Sequence, residues 1–501
     1  MATGHIYGYL SPNSFMDILI RQKQFGQMTL ERIILAIYLL ACMFIGLIVS
    51  KRALVSDDDY WVGGRRIGIS MNALAIMAAL ASGGSIIGVM GLAYSNGIPF
   101  ALALFSGAVI GFPLASILVA NPLRNFGKYT ITDFLAFRFP HPIIRIGVPV
   151  IILFSFTIYI IAQLKAAGIT AESLLGFPYH QGVILFTVVF IIYVSFGGML
   201  AVTWTDMFQG ALMIIIVLGT AFYLTLNNDL TVAPLIEATD RSSDLGLLKQ
   251  QSITSYIGSF VIWAAAISVV PHIVMRVYSS KDSYSAKLSL NVAILLYSVM
   301  ILSSLLIIVP MGKILFPGLD DADMVFLRVI ESSFPPIVRG LAVAAVIAAV
   351  MSTTDALLLA CSSAVAHDLI GYFLPNLEER VKSRIRVYST WFVGLLAMAF
   401  AFNPPALITI FYSSAIGILC AGLFVPTIAG IWWKQANTTA GICAFLFGIT
   451  TYIIIQFLPG APPLSAILIA LPASVAGLIL GNQFGGRVSD SIIESMSKLH
   501  V

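Results

Sequence analysis

An all-α bundle of membrane-spanning helices is the fold class that this sequence predicts, on three observations. Hydrophobic residues make up 59% of the chain and charged residues only 10%, where a soluble domain carries about 25% charged. Apolar runs recur at lengths close to the roughly 20 residues that a bilayer requires. The polar–apolar alternation of an outer-membrane barrel is absent. A mean hydropathy of +0.97 agrees with this. Thirteen spans are expected, near residues 32–50, 69–93, 98–120, 147–170, 180–196, 205–225, 255–275, 289–311, 339–363, 388–402, 405–432, 438–457 and 462–480.

The first thirty residues lack a compact apolar core after a basic start, so no cleavable signal peptide is expected. Span one is uniformly apolar and ends at Lys51-Arg52. The following Asp57-Asp-Asp-Tyr-Trp-Val-Gly-Gly-Arg-Arg66 reads as a solvated turn with an interfacial aromatic anchor. Span two is interrupted at Ala81-Ser82-Gly83-Gly84-Ser85. Each glycine costs a helix roughly 1 kcal/mol relative to alanine. The pair therefore marks either close helix packing or an unwound segment of the kind from which transporters build sites. In span four, Lys165 either adds charge to such a site or snorkels to the outer interface, and snorkelling is the simpler reading. Asp206, near the start of span six, is a candidate helix cap. Span seven holds Trp263 and is broken or kinked by Pro271, which lacks a backbone donor; His272 after it reads as hydrogen-bonded structure. A long outer loop, residues 311–338, precedes span nine. Spans ten to thirteen offer little beyond Pro404-Pro405, Tyr412-Ser413-Ser414 and an anchor at Trp432-Trp433-Lys434.

Span nine is the most informative stretch. It is apolar from Arg339 to Cys361, yet Ser352-Thr353-Thr354-Asp355 sits near its middle. A charged side chain there costs at least about 2.5–3.5 kcal/mol, so it needs a partner or an ion. Ala349, Ser352 and Asp355 share one face by their spacing of three. The alanines at 344, 345, 348 and 349 let a neighbouring backbone approach. Such an oxygen-rich face suits a small hard cation, and the alternative is that the hydroxyls bond back to their own helix.

Neither a Ser-His-Asp grouping, HExxH nor a Walker loop occurs, so the sequence gives no support for an enzyme. The net charge of +4 is spread over loops and makes no case for nucleic acid. No obligatory protein partner is evident; the partners expected are a small solute and the lipid bilayer. Cys42, Cys361, Cys420 and Cys443 fall in spans without CxxC pairing and read as buried structural thiols. About two thirds of the 27 Lys and Arg lie on one side of the spans. The positive-inside rule then puts the N-terminus outside and the C-terminus in the cytoplasm of a plasma (inner) membrane protein.

Over nearly its whole length the chain resembles the sodium–solute symporter family. The likeness is carried by Tyr60-Trp-Val-Gly-Gly-Arg65, Tyr193-Val-Ser-Phe-Gly-Gly-Met-Leu-Ala201, Trp204-Thr-Asp206, Pro271-His-Ile-Val-Met-Arg276, Met351-Ser-Thr-Thr-Asp355 and His367-Asp368. The resemblance implies a leucine-transporter-like fold with two inverted five-helix repeats, each opening on a broken helix. It divides the chain into an N-terminal segment (1–68), repeat one (69–225), repeat two (226–432) and two C-terminal helices with a tail (433–501). It implies a sodium held by the backbone of Ala78, Ala81 and Ala349 and the hydroxyls of Ser352 and Thr353. A second sodium near Asp206, completed by Ser352 and Asp355, is left open, because Ala356 stands where some members place a hydroxyl. The solute would lie against Ser82, Gly83, Gly84, Ser85, Tyr159 or Gln163, and Trp263.

The expected function is therefore sodium-driven uptake of a small organic solute by alternating access. Gly127-Lys-Tyr-Thr-Ile-Thr-Asp133, Ile161-Ala-Gln-Leu164 and Gly197-Gly-Met-Leu-Ala-Val-Thr-Trp204 look most like the acetate and monocarboxylate permeases, which points to acetate, pyruvate or lactate. The alternative is a symporter for proline, another amino acid, a sugar or sialic acid. A sensor or uniporter on the same bundle is a weaker alternative. Asp206 and Asp355 are expected to form one acidic locus that takes a cation or a proton.

Overall fold

The computed structural model describes residues 30–49, 56–227, 251–404 and 407–500. The expectations for the N-terminal segment, Lys51-Arg52 and Pro405 lie outside them. Among the described residues the chain is helical, with no β-strand. Its long helices are α1 (Leu30–Val49), α2 (Ile69–Leu80 and Gly84–Asn96), α3 (Ile98–Leu118), α4 (Pro142–Leu175), α5 (Tyr179–Ile192) and α6 (Gly197–Asn227). They continue with α7 (Ile253–Ser279), α8 (Ser283–Leu315), α9 (Pro336–Phe373), α10 (Glu379–Ala401), α11 (Ile408–Trp432), α12 (Thr438–Gln456) and α13 (Ile467–Phe484).

Each of the thirteen expected spans coincides with one of these helices, but eleven of them, counting the bent α2 once, are long and apolar enough to cross a membrane. The short α5 falls below the length, and it runs into α6 through a kink at Gly198. The first turns of α10 carry Arg380, Lys382, Arg384 and Arg386, which shorten its apolar part.

Two helices are broken. α2 bends by 56° between its halves. α7 is interrupted over residues 267–270, and Pro271 opens its second half, as the missing amide requires. Gly198 adopts φ 57°, and a side chain there would meet Tyr60 at 3.0 Å, so only glycine suits that kink. α9 forms the centre, 94% buried along its apolar window, whereas α1 is peripheral at 22%. The small residues of α9 account for this: alanines on several faces admit α2, α4 and α6 at close range. Cys42, Cys361 and Cys420 are buried and unpaired, and Cys443 is half-buried.

Candidate functional site

The break in α2 frees the last carbonyls of its first half, which have no amide a turn ahead. Two hydroxyls of α9 meet them. Ser352 Oγ donates to Ala78 O at 2.9 Å and to Ala349 O at 3.2 Å. Thr353 Oγ1 donates to Ala79 O at 3.0 Å. Thr354 bonds only back to its own helix, donating to Val350 O at 2.6 Å, whereas Ser352 does so through Ala349 and also crosses to α2. Ala78, Ala349 and Ser352 thus converge from two helices at the negative end of a half-helix dipole, an arrangement suited to a cation. Ala81 carries the break itself, with ψ 62°.

Of the two readings of the glycines, the structure favours close packing. Gly83 is helical, with φ −53°, and the unwinding falls at Ala81-Ser82. A Cβ on Gly84 would lie 2.3 Å from the Tyr412 ring, and one on Gly83 2.7 Å from Val350. Their function is close approach. Gly84→Ala is therefore expected to destabilise by about 1–3 kcal/mol through overpacking and to lower uptake. Tyr412→Ala should partly rescue it; additive losses in thermal-denaturation midpoints would mean that the ring is not the obstacle.

The residues expected to line a solute gather around this segment. Gly83 N–H donates to Gln163 Oε1 at 3.0 Å, which fixes the amide's orientation. Gln163 Nε2 then has no hydrogen-bond partner, and the side chain is fully buried. Ser85 Oγ donates to Leu80 O and accepts from Tyr297, both at 2.9 Å, while Ser85 N–H donates to Ser82 Oγ at 3.1 Å. Tyr159 stacks on Tyr412 with ring centres 4.8 Å apart, and Trp263 meets Tyr412 edge-on at 5.9 Å. Trp263 Nε1–H donates to Ser413 Oγ at 3.3 Å. Tyr412 and Tyr297 went unidentified as site residues in the sequence; the first stood out only as part of a polar group in span eleven.

Asp206 is not a helix cap. It lies more than two turns inside α6, fully buried, and is bound by the Arg276 guanidinium, which also donates to Thr203. Asp355 is fully buried, within electrostatic reach of Asp206 and Arg276, and neither of its oxygens has a hydrogen-bond partner. Asp206 Oδ1 and Gln209 Oε1 are likewise unpartnered. The locus thus combines two carboxyl groups with one guanidinium, so with both carboxyls ionised it would carry one negative charge over. Gln209 Nε2–H donates to Tyr38 at 3.0 Å, so α1 also closes this region.

His272 packs edge-on against Phe156 and Tyr159 at 5.4 and 6.5 Å, and its Nδ1 makes no hydrogen bond, contrary to expectation. Lys165 does not snorkel. It is 6% exposed and pairs at 2.9 Å with Asp323 of the segment between α8 and α9, because that segment folds into the bundle. At the opposite face, His367 Nε2 lies 3.1 Å from both oxygens of Asp133, and Asp368 accepts from Thr130 at 2.9 Å. Against its burial, His367 and two backbone amides hold the Asp133 carboxyl below its usual range. This cluster ties the short helix Ile131–Arg138 to the end of α9.

Residues 60–448 match the model of the sodium:solute symporter family. The osmoregulated proline transporter OpuE of Bacillus subtilis is 29% identical over 474 residues, covering 91% of this chain and 94% of the relative. A sodium/proline symporter of Staphylococcus aureus is 29% identical over 441 residues, covering 84% and 85%. Among solved structures, a Na+-coupled sialic acid symporter aligns with TM-score 0.76 at 18% identity, over 92% of this chain and 98% of that one. The nucleobase-cation-symport-1 transporter Mhp1 aligns at 0.57 and 16%, over 89% and 100%. These likenesses show the fold, a leucine-transporter-like one. The two relatives are proline carriers by name, so the expected leaning towards the acetate branch is not borne out by them. A multi-pass helical bundle whose central helix meets a broken one in a ring of oxygens, and a family match over most of its length, lead to one statement: this chain is a membrane transporter and belongs to the sodium:solute symporter family.

Proposed function

We propose that the protein couples sodium entry to the uptake of a small zwitterionic amino acid, proline first among them. The observation that carries this is the pair of complementary features beside the α2 break. Gln163 Nε2 is a buried donor without a partner, which suits a carboxylate. Tyr159 and Trp263 place their rings 4.8 Å and 5.9 Å from that of Tyr412, one stacked and one edge-on. Aromatic faces attract a substituted ammonium and also accommodate an apolar ring. A monocarboxylate would use the first feature and leave the second idle. The names of the two relatives support the same choice.

Sodium is the driving ion. Ala78, Ala81, Ala349, Ser352 and Thr353 would hold one ion, and Asp355 with Asp206 a second. The N-terminus lies outside in this reading, since the Lys- and Arg-rich side faces the cytoplasm. Proteoliposomes with an inward sodium gradient are expected to accumulate labelled L-proline, competed by other small amino acids and not by acetate, pyruvate or glucose. Competition by the short acids, with no proline uptake, would return the substrate to the monocarboxylate class.

A further inference from the structure

We propose that Lys165 is an outer capture point for the solute's carboxylate, and that Asp323 occupies it when the outer loop is down. The inference rests on the reading that the solute carries a carboxylate.

Lys165 Nζ lies 2.9 Å from Asp323 Oδ2, with side-chain exposures of 7% and 0%. The same oxygen accepts from Ile408 N–H at 3.3 Å. The two partners belong to unlike elements, one to a long helix and one to a short turn in a loop. Lys165 is two thirds of the way along α4, two residues beyond Gln163. Asp323 is in a single turn, Ala322–Met324, of the loop between α8 and α9. That loop is seated on the outer half of α2: Tyr94 donates to Phe316 O and accepts from Leu319 N–H, and a Cβ on Gly91 would meet Asp323 Oδ1 at 2.5 Å. A solute arriving from that side cannot reach Gly84 while the turn is in place.

Lifting the loop withdraws a carboxylate from Lys165. An incoming amino acid brings a carboxylate of the same charge and shape, so it can replace Asp323 on the ammonium, one anion for another with no change in net charge. The route inward is short. Ile408 bonds Asp323, and its neighbour Thr409 reaches Gly84 O at 3.4 Å. Gly91 and Gly84 are seven residues apart, about 10 Å along a helix. Return of Asp323 would displace the solute's carboxylate from Lys165 towards Gln163. Lys165 is thus a specificity-determining residue for carboxylates, used before the inner site.

The test measures sodium-dependent binding of L-proline and of L-prolinamide, which keeps the ring and amine but lacks the carboxylate, to the full-length purified protein. Lys165→Gln is expected to weaken proline binding tenfold or more and to leave prolinamide unchanged; Lys165→Arg should restore proline. Asp323→Asn should tighten proline severalfold by removing the competing carboxylate. The double variant Lys165→Gln/Asp323→Asn decides the matter. If the pair is only a latch, neutralising both partners restores wild-type proline affinity, and the proposal is overturned; capture predicts that binding stays as weak as in Lys165→Gln. Equal losses for proline and prolinamide would also overturn it. Should the wild type bind acetate and not proline, the substrate reading has failed, and the same four variants are compared with acetate against acetamide. Wild-type binding of neither acid removes the carboxylate on which the proposal rests and overturns it.

Discussion

Replacing Ser352 and Thr353 together by alanine is expected to weaken the sodium dependence of uptake by tenfold or more. The two hydroxyls are fully buried and both reach across to α2, at Ala78 O and Ala79 O, with Ser352 also within reach of Ala349 O on its own helix. A carbonyl at a helix end, a second carbonyl at Ala349 and a hydroxyl between them are the ligand types that unwound membrane helices offer to sodium. Each buried oxygen removed costs about 1–3 kcal/mol, so the pair exceeds a factor of ten. The same substitutions remove two hydrogen bonds between α2 and α9, worth about 1 kcal/mol each, and lower stability in sodium-free buffer by a comparable amount. Thr354→Ala supplies the control. Its hydroxyl donates to Val350 O within α9, and its loss should leave the sodium titration unmoved. Equal sodium responses in the double variant and in Thr354→Ala would show that the crossing hydroxyls only dock helices.

The contrast between those hydroxyls also marks how far the sequence can be read. Spans are legible because a bilayer penalises every unpaired polar group, so apolar length is nearly sufficient to place them. The break before Pro271 was legible for a local reason, a missing amide. The break in α2 was placed within Ala81–Ser85 but not to the residue, because Gly83-Gly84 signals a missing Cβ, and a missing Cβ serves close approach as readily as unwinding. What occupies that space is Tyr412, more than 300 residues onward, and no local pattern encodes it. Lys165 failed in the same way. The text of span four does not say that the loop near Asp323 folds inward to meet it, at a depth where burial pushes Asp323 up to about 6 against the pull of Lys165. Arg276 stood inside a recognised motif, yet its pairing with Asp206, 70 residues away, is a property of the packed bundle.

Asp355→Asn is expected to remove one charge from each transport cycle. Asp206 and Arg276 balance one another, so the locus keeps the single negative charge of Asp355, whose two oxygens are buried without a hydrogen-bond partner. A buried carboxylate left uncompensated costs several kcal/mol. A monovalent cation bound beside it removes most of that cost. With a zwitterionic solute, every sodium that enters appears as net current. Two sodium ions then carry two charges per solute and one ion carries one. In Asp355→Asn the charge-to-solute ratio in voltage-clamped proteoliposomes should fall from about two to about one, and the Hill coefficient for sodium towards one. Proline affinity at saturating sodium should change little, because Gln163 is held by Gly83 and the rings pack about Tyr412, none of them bonded to Asp355. Arg276→Gln works in the opposite direction. It leaves two carboxylates facing each other, should cost about 3–5 kcal/mol of stability, and should regain part of that in high sodium, where binding to the native state stabilises it. If Asp355 instead holds a proton, Asp355→Asn leaves the sodium ratio intact and abolishes a pH dependence of uptake. An unaltered ratio together with an unaltered pH profile would remove Asp355 from the coupling machinery altogether.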